Sequence, residues 1–183
     1  MTNGLVVMTP TTVNKTGGSS TATINADGSV TFSACETIGV NGIFTADYDN
    51  YMVTLRVSSD SSANVFYTKV RSLGTDASSN YTWQRLVATS TTIVGERQTG
   101  QTGGWRSGWW VVSPKSGYTS YFFGPYLAQP TAFRIVGAPG EDGARVEDYA
   151  GTHSTASSYD GFSLIHATPS PFSGLLTVFG FNQ

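Results

Sequence analysis

The stretch Tyr159-Asp160-Gly161-Phe162-Ser163-Leu164-Ile165-His166-Ala167-Thr168-Pro169-Ser170-Pro171-Phe172-Ser173-Gly174-Leu175-Leu176-Thr177-Val178-Phe179-Gly180-Phe181 decides the fold. It reads as two strands joined by a turn. Asp160-Gly161 opens the first strand, and Pro169-Ser170-Pro171 stops either strand from running through the connection. In the second strand Leu175, Thr177, Phe179 and Phe181 share one face, and Leu176, Val178 and Gly180 the other. Both faces are largely apolar, the mark of a strand covered on two sides, by a second sheet or by a neighbouring subunit. Leu176, Val178, Phe179 and Phe181 are therefore the candidate subunit-interface residues. The pair is expected to be a hairpin that closes an all-β sandwich.

Composition supports strands throughout. The chain has 183 residues, enough for one domain with its own core. Charged residues make up 12%, about half the usual share, and 21 glycines with abundant Ser and Thr fill the polar positions. No window repeats apolar residues at helical spacing for three turns. Residues 1–20 are polar, carry Pro10 and Gly17-Gly18, and read as an extended N-terminal arm; deleting residues 1–16 is expected to leave the fold intact and to abolish attachment to a larger assembly. The sandwich domain is expected over 21–183. It starts with a hairpin whose strands, Thr21-Ala22-Thr23-Ile24-Asn25 and Ser29-Val30-Thr31-Phe32-Ser33-Ala34, flank the turn Ala26-Asp27-Gly28. The cleanest alternation follows, with Tyr51, Val53, Leu55 and Val57 set against Met52, Thr54, Arg56 and Ser58. Residues 89–104, rich in Thr, Gly and Gln, read as a surface loop. The whole makes on the order of ten short strands, the pattern of an antiparallel sandwich or barrel.

Several function classes find little support. A net charge of -2 gives no electrostatic reason to expect nucleic acid. The single cysteine, Cys35, rules out an internal disulfide and a Cys-based zinc site. The start shows neither a signal peptide nor a membrane span, so synthesis in a cytoplasm without membrane insertion is expected. His153 and His166 show no metal-binding spacing, and no cofactor motif occurs; no metal, cofactor or catalytic residue is expected. Glu141, Asp142, Glu147 and Asp148 cluster in sequence, as a glycosidase pair would require, but they surround a Gly-rich turn where charges are simply solvated.

Aromatic residues reach 13%, and Trp105, Trp109 and Trp110 lie within six positions beside Arg106. Three arrangements suit them. They anchor a partner subunit, or form a core strand in which Trp110 and Val112 share an inward face, or offer flat platforms to a sugar. Trp105, Arg106, Trp109 and Trp110 are thus the candidate host- or ligand-contact residues.

Three further stretches carry a resemblance. They are Phe44-Thr45-Ala46-Asp47-Tyr48-Asp49-Asn50-Tyr51-Met52-Val53, then Tyr126-Leu127-Ala128-Gln129-Pro130-Thr131-Ala132-Phe133-Arg134, and Asp148-Tyr149-Ala150-Gly151-Thr152-His153 with the terminal Val178-Phe179-Gly180-Phe181-Asn182-Gln183. Together they resemble a family of small bacteriophage virion proteins of the minor tail or tail-fibre-like kind. The resemblance implies an antiparallel jelly-roll-like β-sandwich on the virion surface, a homotrimer, and no catalytic residue. Made in the host cytoplasm, such a protein would join other virion proteins through its arm. It would act as a tail-associated module touching a host surface glycan or as a capsid decoration protein stapled to the shell; apart from the resemblance, the chain also suits a non-viral lectin-like module or a polysaccharide depolymerase.

Overall fold

The computed structural model describes residues 4–59, 64–110, 116–139 and 145–182. Three short strands come first, β1 (Val6–Met8), β2 (Thr12–Thr16) and β3 (Thr21–Ile24). They are followed by β4 (Val30–Cys35), β5 (Thr37–Asn41), β6 (Asn50–Ser59), β7 (Asn64–Ser72) and the two-residue β8 (Thr75–Asp76). Then come β9 (Tyr81–Thr89), β10 (Thr92–Gln101), β11 (Trp105–Trp110), β12 (Ser116–Phe123), β13 (Gln129–Ala138) and β14 (Arg145–Ser157). β15 (Gly161–His166) and β16 (Phe172–Phe181) are the last. No helix occurs among the described residues.

Two antiparallel sheets form a β-sandwich. The ten-stranded sheet runs β10-β9-β14-β13-β12-β6-β16-β4-β3, with β1 also paired to β16; the six-stranded sheet runs β11-β7-β15-β5-β2, with β8 on β7. Eight of these strands, β4, β5, β6, β7, β11, β12, β15 and β16, make the central framework. β4-β16-β6-β12 lies in one sheet and β5-β15-β7-β11 in the other, which is jelly-roll order. The remaining strands are edges and extensions of that framework.

Alternation decides which face each strand buries. Tyr51, Val53, Leu55 and Val57 of β6 point into the core, as do Tyr118 and Phe122 of β12 and Leu176 and Val178 of β16. From the six-stranded sheet come Ile38, Val40, Phe66, Val70, Phe162, Leu164 and Trp105. The layers meet through rings. Phe162 stacks on Phe122 at 5.2 Å, Phe66 meets Tyr118 edge-on at 5.1 Å, and Trp105 stacks on Phe133 at 4.6 Å with planes 2° apart. Gly151 of β14 is what admits the indole, since a Cβ there would lie 2.6 Å from Trp105 Cδ1 and 2.4 Å from the Thr82 carbonyl oxygen.

Three expectations are corrected by this topology. The closing strands are not a hairpin: β15 lies between β5 and β7, whereas β16 lies between β6 and β4 in the opposite sheet. The Pro169-Ser170-Pro171 connection carries the chain from one layer to the other, about 10 Å. Residues 92–101 are strand β10, paired to β9, rather than a loop. As an edge strand with both faces largely wet, it has no need of apolar alternation. Finally, the stretch expected as an arm is extended but hydrogen-bonded into both sheets. β1 pairs with β16 and β2 with β5, and the Thr11 N–H donates to the Asn41 carbonyl at 2.9 Å.

Trp105→Ala is expected to lower unfolding stability by about 3–5 kcal/mol, because the cavity cannot collapse between two rigid sheets; urea or guanidinium titration measures it. Deleting residues 1–16 strips the outer partner from β5 and from one end of β16. It should lower the thermal midpoint, contrary to the expectation for a free arm.

Candidate functional site

The tryptophan-rich strand does not present an open platform. Trp105 is wholly buried, with Tyr81, Phe122, Phe133 and His153 around it. A bulge between Arg106 and Gly108 then shifts the register of β11 against β7. Arg106 leans over the Trp83 ring at 6.0 Å and approaches Glu96 at 3.8 Å, while Glu96 pairs with Arg85 at 2.7 Å. Trp109 is half-buried and capped by the Arg145 guanidinium at 5.2 Å. The backbone of Trp110 belongs to β11; its side chain, like Val112, lies outside the described residues. Of the four candidate contact residues, Trp105 is core, and Arg106 and Trp109 are tied to charges and rings of their own chain.

Beneath them sits Glu147, which is 1% exposed. Its Oε2 accepts from the Trp109 N–H at 2.9 Å and from the Tyr118 hydroxyl at 3.2 Å; Oε1 accepts from Arg145 Nε at 2.7 Å and the Tyr149 hydroxyl at 3.1 Å. Four donors on one carboxylate meet the condition for burying its charge. The site joins β11 of one sheet to β12 and β14 of the other. Asp148 points to the opposite face, where it pairs with Arg134 at 2.8 Å. Glu147 and Asp148 therefore form no acid–base couple. Glu141 and Asp142 lie outside the described residues.

The two histidines are far apart in role. His153 packs against Tyr81, and its Nδ1 lies 3.1 Å from the Tyr159 hydroxyl. His166 stacks on Phe172 at 6.4 Å and faces the Thr168 carbonyl. Among the described residues no group of three or more His, Cys, Asp or Glu gathers.

The expected interface residues divide in two. Leu176 and Val178, each 1% exposed, belong to the core of the single chain and have no surface left for a partner. Phe179 and Phe181 face outward and are half-buried. Pairing registers put Phe179 in a row that crosses five strands: Arg134, Tyr121, Met52, Phe179 and Val7. Phe123 stacks beside Tyr121 at 6.3 Å, and Phe181 pairs across from Asn50 in the neighbouring row. The outer face of the ten-stranded sheet thus carries an aromatic and apolar stripe where a solvated antiparallel sheet is ordinarily polar. Met52, Tyr121 and Phe123 escaped the sequence reading because the polar neighbours Thr54, Arg56 and Thr119 marked that face as wet.

No family model matches the chain, and no curated protein matches it. Among solved structures, a protein of unknown function from Shewanella oneidensis MR-1 is similar at 10% identity and a TM-score of 0.41, over 96% of this chain and 78% of that one. The C-terminal CBM6 of LamC, a marine laminarinase from Zobellia galactanivorans, is similar at 10% identity and a TM-score of 0.26, over 96% of this chain and 98% of that one. No function is carried over from either.

Burial, and then the Glu147 charge, push the Tyr118 and Tyr149 phenols above their ordinary 10.0. Both keep their protons in the fold at pH values where the unfolded chain loses them. This contribution to stability is intact below about pH 10 and declines as pH rises toward the folded values, by about 1.4 kcal/mol per pH unit for each phenol. Denaturation midpoints across alkaline pH, read beside tyrosinate absorbance, check the decline.

Proposed function

We propose that this protein is a non-enzymatic structural component of a bacteriophage particle, tail-associated and displayed on the virion surface. In this reading it assembles as a homotrimer and touches the host cell surface. The observation that carries the assembly is the stripe Tyr121-Met52-Phe179-Val7 with Phe123 and Phe181 beside it. A second copy is the occupant that suits it: self-association covers the apolar stripe, and the charge at its end, Arg134, already has its partner in Asp148. The virion assignment is supported by the three stretches that resemble small phage virion proteins. Attachment to other virion proteins fits the N-terminal strands. β2 and β3 end their sheets, so each offers a free backbone edge to which a neighbour's strand can add.

Two measurements test the reading. Light scattering after gel filtration should give three chains per particle. Tyr121→Asp and Phe179→Asp, both on the outer face, should each weaken assembly by at least about 30-fold while the monomer stays folded. A monodisperse monomer for the unaltered protein ends the assembly proposal. Cryo-electron microscopy of the purified phage then locates the chain. Density at the tail supports the full reading, density repeating over the capsid makes it a decoration protein, and absence from the particle removes the virion assignment.

A further inference from the structure

On the opposite side of the molecule, the outer face of the six-stranded sheet holds a polar cleft of about 440 Å³. Thr11, Thr12, Asn14, Asn41, Leu73, Gly74 and Asp160 line it. Its deepest member is Asn41, only 6% exposed. Asn41 Nδ2 donates to Thr12 Oγ1 at 2.9 Å and to Asn14 Oδ1 at 2.8 Å. Oδ1 is then left buried without a partner among the described residues. Asp160 repeats the pattern. Its Oδ2 accepts from the Leu73 N–H at 3.3 Å, while Oδ1 is buried and unpartnered.

Both acceptors are held rigidly. The Asp160 carbonyl accepts from the Ile43 N–H at 3.0 Å and the Phe44 N–H at 3.2 Å, and its N–H donates to the Arg71 carbonyl at 3.0 Å. Arg71 lies flat across Gly39, where a Cβ would collide with Nη1, and pairs with Asp76 at 3.2 Å. Nη2 of Arg71 donates to the Gly74 carbonyl, and Ser163 donates to Asp76 at 2.6 Å. This network holds the turn that forms one wall of the cleft. At the rim, Leu73 is 90% exposed and sits at φ +49°, a conformation costly for a leucine.

A buried acceptor without a partner is costly, and two in one cleft imply a ligand that donates to both. We infer that the cleft binds a neutral sugar residue, whose hydroxyls donate to Asn41 Oδ1 and Asp160 Oδ1 and whose apolar face rests on Leu73. A hard divalent cation fits less well. It prefers six or more oxygens with several carboxylates, and Asp160 is the one carboxylate in the lining. The cleft lies on the sheet opposite the assembly face, and its binding chemistry does not depend on the virion reading, although it gives the proposed host contact a location.

The test is saturation-transfer NMR of the intact protein against a panel of methyl glycosides, with calcium chloride titrated separately by calorimetry. At least one glycoside is expected to bind, and Asp160→Asn to weaken that binding about tenfold or more with the thermal midpoint little changed. Leu73→Gly relieves the backbone and should hold or raise the midpoint while weakening the sugar, a combination that a purely structural leucine would not produce. No binding across the panel, binding indifferent to Asp160→Asn, or binding of calcium alone each overturns the assignment. A protein absent from phage particles that still binds sugar through Asp160 keeps this inference and removes the virion reading.

Discussion

The stacking of Trp105 on Phe133 is the contact on which the wide end of the sandwich depends. Among the described residues β11 is the last strand of its sheet and pairs with β7 alone, so its other edge would be exposed if nothing held it against the other layer. Trp105 inserts between β13 and β14 at the point where Gly151 leaves room. The bulge that follows turns the backbone so that the Trp109 N–H reaches Glu147. An aromatic stack and a fully compensated carboxylate then secure the same strand a few residues apart. The β9–β10 hairpin curls over that edge and adds Glu96 between Arg85 and Arg106. Trp105 and Trp109 are therefore costly to replace for structural reasons, since both serve to close an edge.

The same logic recurs in the buried tyrosines. The Tyr51 hydroxyl accepts from the Thr45 N–H and donates to the Thr45 carbonyl. Tyr81 accepts from the Val70 N–H and donates to the Ala77 carbonyl. Tyr118 accepts from the Trp109 N–H, and its single proton is shared between the Trp109 carbonyl at 2.6 Å and Glu147 Oε2 at 3.2 Å. Each ring fills core volume while its oxygen satisfies one donor and one acceptor of a backbone that leaves its ladder. A jelly roll has many such departures, since its chain passes repeatedly between sheets. A hydroxyl at the tip of a core ring serves them without burying a separate polar side chain.

This explains how much was legible in the sequence. Alternation in β6, the two faces of β16 and the turn at Asp27-Gly28 were enough for an all-β sandwich, because period-two burial is a local property. Whether Phe172–Phe181 pairs with Gly161–His166 or with β6 is not local. Both arrangements bury the same residues, and only the register of distant strands separates them. The interface reading failed at Leu176 and Val178 for a related reason. An apolar residue alternating with apolar neighbours does not announce which of its two coverings is the chain's own second sheet. Tyr and Phe at inward positions look alike to periodicity, so the hydroxyl contacts were invisible as well. Asn41 and Asp160 precede glycines and look like turn residues, although Asn41 is the last residue of β5 and Asp160 the residue before β15. Their second property, an oxygen buried without a partner, arises only when β2 and the residue 73–74 turn close around them.

Each outer face departs from a plain solvated sheet in its own way. The ten-stranded sheet shows rings where water should be met by polar groups. The six-stranded sheet buries a guanidinium, an amide and a carboxylate on a side that covers no core. Each departure carries a free-energy cost in the isolated chain, the first through hydration of apolar surface and the second through unpaired acceptors. A small domain with net stability of only about 5–15 kcal/mol retains few such costs without a compensating contact. Rings are covered best by rings, and lone acceptors by hydroxyl donors. With the proposed assembly on one face and the proposed sugar cleft on the other, occupation of either layer would leave the chemistry of the other unobstructed.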